Sequence, residues 1–347
     1  MKQRIEELDA LRGFAALAVV LFHYTLETEQ AISYFKVGCM GVDLFFIISG
    51  FVIFMTIQKS KNWKAFLVSR FSRLYPAYWA CVSVTTLLCF FAIRADWLAL
   101  KKIDPTENLP LVYLTNLTMF QYYFKVPDVD GSYWTLIVEL IFYIFMLFIL
   151  AFKKIDKLET YGTICLLLIS LYYFDQVAEH LLFHKLLIAI PLISYFPLFF
   201  GGIVLYKMKF EKKSAQRMMV FILTFIIQSL IFQHCYRNRF YLIYTEYILA
   251  LSSIYSIFLL FLYGKLTFIV NPFTIWLGKI SYSLYLLHQV IGVFIIMPVM
   301  TKIFHWSFWP SVFIAISSVC LLAHLVNRYI EQPAMRYVRE KAKPFIR

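Results

Sequence analysis

Long apolar runs, separated by short polar segments, recur along the whole chain. Each run is about 20 residues long, which is the length of a helix that crosses the hydrocarbon core of a bilayer. The runs lie at residues 8–26, 37–57, 75–93, 133–152, 159–174, 186–206, 218–233, 240–263, 277–299 and 311–330. Because helices satisfy their own backbone hydrogen bonds in lipid, the pattern predicts an all-α polytopic membrane protein with about ten transmembrane helices.

The composition supports this interpretation, since 61% of the residues are hydrophobic and only 15% are charged. About a quarter of the residues of a soluble domain are charged, so an ordinary soluble protein is excluded. The net charge of +13 would suggest nucleic acid binding in a soluble protein. Here most lysines and arginines fall in alternate loops, which predicts that both termini are cytoplasmic and that no nucleic acid is bound. The spans fill nearly all of residues 1–347, so we expect one transmembrane domain without a separate soluble domain.

The first span, "LDALRGFAALAVVLFHY", carries ionisable residues that are costly in hydrocarbon. His23 follows Arg12 by 11 residues, almost three helical turns, so both side chains face the same way at a separation of roughly 17 Å. Asp9 lies three residues before Arg12 and can pair with it. The pattern indicates a functional polar track. Two structural alternatives stay open: Arg12 extends to the membrane surface, and His23 makes an interhelical hydrogen bond.

Buried carboxylates mark two other spans. Asp43 lies in "GVDLFFIISGF" at a depth similar to that of His23. A carboxylate beside an imidazole fixes its tautomer and raises its basicity, which suits a general base. Glu139 lies among apolar residues in "WTLIVELIFY". Both acids could instead stabilise helix packing. The second span also contains glycines that permit close helix approach, namely Gly38, Gly41 and Gly50.

Two arginines follow the second span, in "RFSRLYPAYW". Arg70 and Arg73 lie three residues apart, on one side of a helical turn, and two guanidinium groups at that spacing suit a phosphate. The cluster of aromatic residues beside them, which includes Tyr75, could stack on a nucleobase. Lys279, near the end of a later span, could also reach a phosphate. The alternative is that these cations contact lipid headgroups.

A polar stripe interrupts the ninth span, "GKISYSLYLLHQV". With Tyr75 and Trp134 it forms a candidate substrate passage. The members of the stripe in this passage are Ser281, Tyr282, Tyr285 and His288. Near the end of the chain, "NRYIEQPAMR" places Glu331 and Pro333 at the last helix terminus, where we expect a salt bridge.

Metal binding has little support in the sequence. The six cysteines include no CxxC pair and are interpreted as small core residues. His180 and His184 have the i, i+4 spacing of metal ligands, but no further ligand lies nearby in the sequence. We therefore predict no metal site and no tightly bound cofactor.

Together these segments resemble the membrane acyltransferase-3 family, which contains carbohydrate O-acyltransferases of bacterial envelopes. Arg12, ten intervening residues and His23 match the hallmark of the family. "GVDLFFIISGF", "RFSRLYPAYW", "GKISYSLYLLH" and Glu331-x-Pro333 match further signatures in the same order.

One family signature is altered in this chain. The family motif usually reads W-S-L-x-x-E-E-x-F-Y, and "WTLIVELIFY" has Thr135 in place of the serine and Leu140 in place of the second acid. Glu139 is retained, so we keep it as a site residue.

The resemblance implies O-acyl transfer, most simply acetyl transfer, from cytoplasmic acyl-CoA to a sugar hydroxyl across the membrane. The implied acceptor is an envelope glycan such as O-antigen, capsule or another lipid-linked polysaccharide, and the implied location is the bacterial inner membrane. The implied acyl-CoA-binding residues are Arg12, Arg70, Arg73 and Lys279. His23 would deprotonate the attacking hydroxyl, oriented by Asp43 or Glu139, or would carry the acyl group itself.

Two alternative functions remain from the residues alone. A transporter of an anionic or lipid-linked sugar would also need intramembrane Arg, Asp, Glu and His, although the inverted repeats typical of many transporters are not evident. A non-catalytic assembly protein of envelope synthesis would tolerate the loss of His23. The acceptor hydroxyl and the oligomeric state are not encoded in any recognisable pattern.

Overall fold

The computed structural model describes residues 5–346 except 27, 29–31, 33, 95–107, 175–180 and 233–239, together with the backbone but not the side chains of 172–174 and 181–184. Within these residues the regular elements are helical. The α-helices are α1 (Glu6–Thr25), α2 (Gly41–Lys59), α3 (Trp63–Arg94), α4 (Leu109–Asn116), α5 (Gln121–Phe124), α6 (Trp134–Ala151), α7 (Leu158–Phe174), α8 (Leu181–Ala189), α9 (Phe196–Phe210), α10 (Ala215–Ile231), α11 (Tyr244–Leu262), α12 (Pro272–Leu287), α13 (Phe308–Val326) and α14 (Gln332–Ile346).

Seven helical segments of the described chain are long and apolar enough to cross a membrane. They are Glu6–Thr25, Lys36–Lys59, Trp63–Arg94, Gly131–Ala151, Tyr244–Leu262, Pro272–Ile303 and Phe308–Ile346. The helical polytopic class predicted from the sequence is thus confirmed.

The other three predicted spans are shorter or broken helices. α7 and α10 have 17 residues each. The predicted span 186–206 is divided between α8 and α9 by a 3₁₀ turn over Pro191–Ser194, because proline lacks the N–H that would continue the first helix. The count of ten crossings and the cytoplasmic termini therefore stay predictions.

α1 and α12 are in close backbone contact. A Cβ atom added to Gly278 of α12 would lie 2.0 Å from the carbonyl oxygen of Asp9 in α1, and one added to Gly13 would lie 2.9 Å from the nitrogen of Gly278. Small residues at such crossings let helix backbones touch. Farther along, His23 of α1 meets His288, the residue that follows α12. The two helices therefore run in the same direction.

The glycines of the second span also lie at helix contacts, as the sequence predicts. A Cβ on Gly38 would lie 2.2 Å from the carbonyl oxygen of Ala18, and one on Gly50 would lie 1.9 Å from that of Phe199 in α9. Gly41 is similarly close to α1. α2 is therefore held tightly between α1 and α9, and its inward face takes part in the site described below.

The apolar segment before α6, which the structure describes from residue 108 onward, contains the two short helices α4 and α5. α4 packs against α3 and α5 packs against α4, and three backbone carbonyls of the segment accept hydrogen bonds from α3. Tyr75 Oη donates to Thr118 O at 3.1 Å, and Trp79 Nε1 donates to Leu117 O at 2.9 Å. Tyr78 Oη donates to Asn116 O at 2.8 Å. The described part of this segment is therefore attached to α3 through its backbone.

Candidate active site

His23 and His288 form a hydrogen-bonded pair. His288 Nε2 and His23 Nδ1 are 3.0 Å apart, and the ring centroids are separated by 4.9 Å. The His288 side chain is fully buried, whereas His23 is half-buried and lines a cavity. The sequence pattern predicted Asp43 or Glu139 as the group that orients His23, but the partner in the pair is a second histidine.

Backbone carbonyls fix the protonation pattern of this pair. His288 Nδ1 lies 2.7 Å from the carbonyl oxygen of Tyr285, which can only accept, so Nδ1 carries the proton. In the neutral ring Nε2 is then an acceptor, and His23 Nδ1–H donates to it. His23 Nδ1 also lies 3.0 Å from the carbonyl oxygen of Val19, which agrees with a proton on that atom. The lone pair of His23 consequently resides on Nε2, as a general base requires.

His288 begins a π-helical segment, His288–Ile296, that continues α12. π-Helical turns shift the backbone hydrogen bonds and leave groups for side chains to satisfy. Tyr133 Oη donates to the carbonyl oxygen of Leu286 at 3.1 Å. Asp130 Oδ2 accepts from the backbone nitrogen of Val290 at 2.9 Å. The residues just before α6 thus clamp the turn that carries His288.

Asp130 is the anionic part of this clamp. It is fully buried, and its Oδ1 accepts from the nitrogen and the hydroxyl of Ser132 at 2.9 and 2.7 Å. Burial raises the pKa of Asp130 to about 6, while the hydrogen bonds from Ser132 and Val290 act in the opposite direction. Sequence reasoning missed Asp130. Its signal was the Asp-Gly-Ser step before α6, where an aspartate commonly caps a helical turn.

A cavity of about 440 Å³ opens beside His23, and we call it the histidine cavity. Of the predicted passage residues, Trp134 and Tyr285 line it. Its other lining residues are Val19, Phe22, Cys39, Val42, Gly131, Phe240, Tyr241 and Gln289. Aromatic and apolar walls with a few polar groups are typical of a small-molecule site.

A second, narrower cavity of about 100 Å³ holds most of the predicted cations, and we call it the arginine cavity. Arg12, Arg70 and Arg73 line it together with Glu139. Three guanidinium groups and one carboxylate line this cavity, and the carboxylates that pair with Arg12 and Arg73 lie outside the lining. The lining itself therefore presents mainly cationic groups, which favour anionic ligands. Its other polar lining residues are Ser49, Thr135, Tyr143, Ser281, Tyr282 and Tyr285.

Tyr285 separates the two cavities and lines both, as does Val42. Tyr285 Oη donates to the carbonyl oxygen of Ser132 at 3.0 Å and lies 3.0 Å from Thr135 Oγ1. Thr135 Oγ1 also lies 3.3 Å from the same carbonyl oxygen, so either hydroxyl can be the donor between Thr135 and Tyr285. Thr135 departs from the family signature, yet it supplies a hydroxyl as serine would.

Glu139 lies in the arginine cavity rather than beside the histidine pair. Its Oε1 accepts from Ser49 Oγ at 2.9 Å and from Tyr143 Oη at 2.6 Å. The Tyr143 ring also faces Arg70, whose guanidinium carbon is 5.9 Å from the ring centroid. These contacts favour a binding or positioning role for Glu139, and a direct catalytic role stays a prediction.

The arginines of the cavity differ in their partners. Arg12 pairs with Asp9 at 3.6 Å, as the spacing predicts. Arg73 forms an ion pair with the fully buried Glu331, so the salt bridge expected at Glu331 is present. Glu331 Oε2 also accepts from Ser283 Oγ at 2.9 Å. Arg70 Nη2 donates only to hydroxyls, those of Thr56 and Ser69, each at 3.1 Å.

Besides the buried His288, three predicted site residues lie apart from both cavity linings. Lys279 is exposed, and its backbone carbonyl accepts from Asn327. Tyr75 stacks on Phe71 in α3, where its hydroxyl holds the segment after α4. Asp43 is buried in the first turn of α2 and lines neither cavity. The structure therefore does not bring Lys279 and Tyr75 together with the arginines.

Metal ligation has no cluster to support it within the described residues, where no group of three or more His, Cys, Asp or Glu side chains is arranged to hold an ion. His180 lies outside the described residues, as does the side chain of His184. The prediction about that histidine pair is thus not tested.

Comparisons with known proteins agree with the geometry. A family model described as an acyltransferase domain, of acyltransferase type 3, matches residues 5–328. An O-acetyl transferase of Shigella phage Sf6 is 26% identical over 345 residues, which cover 93% of this chain and 94% of the phage protein. A putative acetyltransferase of the Acidianus two-tailed virus is 24% identical, with 80% of each chain covered.

A third relative matches over a shorter region. The peptidoglycan O-acetyltransferase OatA of Listeria monocytogenes is 29% identical over 167 residues, which cover 44% of this chain and 25% of that protein. The chain therefore corresponds to about a quarter of the Listeria protein and to nearly all of the phage protein. No solved structure matches the chain.

The apolar helices and these relatives support a membrane O-acyltransferase. Since the family model covers residues 5–328 of the 347 in the chain, the protein belongs to the acyltransferase-3 family.

Proposed function

We propose that the protein transfers an acetyl group from acetyl-CoA, bound on the cytoplasmic side, to a sugar hydroxyl of an envelope glycan on the other side. One observation carries this proposal: a cationic cavity and a histidine-lined cavity meet at Tyr285. The first suits an anionic donor, and the second suits the chemistry of a hydroxyl acceptor. The location in a bacterial inner membrane is part of the same proposal.

The histidine pair supplies the proton transfer. The acceptor hydroxyl gives its proton to His23 Nε2 as its oxygen attacks the thioester carbonyl. When the tetrahedral intermediate collapses, the C–S bond breaks, and the proton passes from His23 to the thiolate, which leaves as free coenzyme A. His288 accepts the hydrogen bond from His23 Nδ1 throughout. A positioned base of this kind contributes roughly 10²–10⁴-fold to the rate.

The proposed orientation of the protein in the membrane follows from the distribution of its positive charges. The arginine cavity would face the cytoplasm, since Arg70 and Arg73 lie in the first half of α3, which begins in a basic stretch directly after α2. Arg12 and His23, on one helix roughly 17 Å apart, then connect the donor side to the acceptor side. A thin thioester arm would extend through the narrow arginine cavity toward Tyr285 and His23.

The acceptor is proposed as a lipid-linked glycan such as O-antigen or capsule. Peptidoglycan, the acceptor named for the Listeria relative, is a second candidate. The histidine cavity, with its aromatic walls at Trp134 and Tyr241, is large enough for one or two sugar rings.

Acetyl transfer in membranes tests the proposal. Membranes with the wild-type protein, or with His23→Ala at equal expression, receive radiolabelled acetyl-CoA, and label in envelope glycan is counted. We expect label only with the wild type, while His305→Asn, a change at an exposed loop histidine, should keep the wild-type amount. Equal label with His23→Ala would remove His23 from the chemistry.

The same assay separates the remaining alternatives. Label that is trapped on the wild-type protein but not on His23→Ala, and that hydroxylamine releases, would indicate that His23 carries the acyl group rather than acting as a base. No transfer from acetyl-CoA, combined with movement of a sugar substrate across sealed vesicles, would favour the transporter.

A further inference from the structure

A third cavity lies beyond the arginine cavity, and we call it the basic cleft. Its volume is about 420 Å³, and its walls come from the end of α2, the start of α3 and the last helix, α14. It contains three cationic side chains, Lys59, Arg70 and Arg339. Arg70 lines both the basic cleft and the arginine cavity, so the two are adjacent.

The cations of the basic cleft are not neutralised by carboxylates. Among the ion pairs of the described residues, none involves Lys59, Arg70 or Arg339. Arg339 Nε donates to the Ser72 hydroxyl at 3.1 Å, and Arg70 Nε is buried without a hydrogen-bond partner. Buried donors without an acceptor are costly, so the cleft is suited to bind an anion.

The arginine cavity and the basic cleft differ in volume, so they suit different parts of a donor molecule. The arginine cavity, at about 100 Å³, is too small for a nucleotide, because sites for drug-sized ligands measure roughly 300–1,000 Å³. The basic cleft, at about 420 Å³, falls within that range. A ligand that occupies both must have a bulky anionic end and a thin arm.

We propose that the basic cleft binds the phosphorylated nucleotide end of the donor, with Lys59, Arg70 and Arg339 contacting its phosphates. The thin arm then extends through the arginine cavity toward His23. This inference rests on the proposed acyl-CoA donor and adds α14 to the donor site. A lipid headgroup could present the same phosphate chemistry, and the test below separates the two sources.

α14 is firmly placed for this role. Besides the contact of Arg339 with Ser72, the carbonyl oxygen of Ile346 near its end accepts from Asn62 Nδ2 at 3.0 Å. Ile346 itself lines the basic cleft. Both ends of the cleft wall formed by α14 are therefore tied to the start of α3.

The test measures coenzyme A binding to the purified full-length protein in phosphatidylcholine nanodiscs by calorimetric titration. Arg339→Gln removes one charge-assisted contact, so we expect at least about tenfold weaker binding. Arg336→Gln, at an exposed position on the same helix, should bind as the wild type does. Arg339→Lys should recover part of the affinity, which excludes misfolding as the cause.

Three results would overturn the assignment. If Arg339→Gln binds coenzyme A as tightly as Arg336→Gln does, the cleft does not hold the donor, and the proposed function stands. If Arg339→Gln instead loses phosphatidylglycerol, retained on the wild type and measured by native mass spectrometry, with coenzyme A affinity unchanged, the cleft is a lipid site. Absence of coenzyme A binding to the wild type would contradict the donor in the proposed function as well.

Discussion

His23 and His288 lie at equal heights on two parallel helical segments, each ten residues beyond the glycine at which those segments touch, Gly13 and Gly278. Equal spacing from a common contact brings the two rings together, with 3.0 Å between His23 Nδ1 and His288 Nε2. The reactive geometry thus depends on helix packing about 15 Å away. Substitutions at the histidine pair and at the glycine contact should therefore both affect the site.

Replacing His288 should separate its two hydrogen-bonding roles. A glutamine side chain places an oxygen near the position of Nε2 and can still accept from His23, whereas asparagine places its polar atoms near Nδ1 and cannot reach His23. We expect His288→Gln to keep acetyl transfer within about tenfold of the wild type and His288→Asn to lose roughly 10–100-fold, since a buried unsatisfied donor costs about 1–3 kcal/mol.

Initial rates of acetyl transfer in membranes, normalised to folded protein, measure this difference. His324→Gln is the control, because His324 lies on α13 and accepts from Trp276 rather than from a residue of the pair. If the glutamine and asparagine variants lose activity equally, His288 does not act as the acceptor for His23.

A methyl group at Gly278 should separate α1 from α12. The added Cβ would lie 2.0 Å from the carbonyl oxygen of Asp9, a backbone atom that cannot move alone. We expect Gly278→Ala to lower both thermal stability in detergent and acetyl transfer per folded molecule, because the histidine pair loses its alignment.

Gly264→Ala is a suitable comparison for Gly278→Ala. Gly264 has φ +68° and nothing within 4 Å of an added Cβ, so alanine there adds backbone strain of about 1 kcal/mol without touching another helix. It should lower stability slightly and leave transfer per folded molecule unchanged. Normal transfer by Gly278→Ala would show that alignment of α1 with α12 is not needed.

Local patterns were sufficient to predict much of the architecture. Apolar length identified the helices that are long enough to cross a membrane, and small residues identified the contacts at Gly38 and Gly50. The i, i+3 spacing predicted the pair of Asp9 and Arg12. These features depend on neighbours within a helix or on one property of a single residue, so they can be inferred without knowledge of tertiary packing.

Long-range pairings could not be inferred in this way. His23 and His288 are separated by 265 positions, and similar depth in the membrane indicated Asp43 as the partner of His23 instead. Asp130 was missed because it accepts a hydrogen bond from Val290, and the π-helical turn that presents this N–H is a feature of the tertiary structure. Arg339 was not predicted as a site residue, since nothing in the sequence indicates that α14 folds back onto α3.

Because Arg73 and Glu331 form an ion pair, the effect of replacing one of them on the free energy of unfolding should depend on whether the other is present. Glu331 is almost completely buried, whereas a quarter of the Arg73 side chain is exposed. Removing one charge of a buried pair leaves the other uncompensated, so Glu331→Gln should destabilise the fold, by up to about 3 kcal/mol given the partial exposure of Arg73.

A double-mutant cycle in detergent measures this coupling. Arg73→Met combined with Glu331→Gln should be less destabilising than the sum of the two single changes, because no uncompensated charge remains. Additive losses would show that the two side chains do not interact appreciably. Thermal unfolding of the four proteins provides the required free energies.

Asp130 should act on catalysis through His288. In Asp130→Asn the amide oxygen can keep the contacts with Ser132, but the amide NH₂ then faces the N–H of Val290 and cannot accept from it. The turn that carries His288 loses its anchor. We expect acetyl transfer per folded molecule to fall about tenfold, because a buried unsatisfied N–H costs about 1–3 kcal/mol.

Combining Asp130→Asn with His288→Ala distinguishes this role from general destabilisation. If Asp130 acts by positioning His288, Asp130→Asn should reduce acetyl transfer little further in a protein that already carries His288→Ala. The two effects on the transfer rate are then not additive. Asp128→Asn, two residues earlier and bonded to Gln121 at 2.7 Å, should leave transfer unchanged. A full tenfold loss from Asp130→Asn in the His288→Ala background would instead mean that the carboxylate acts independently of the histidine pair.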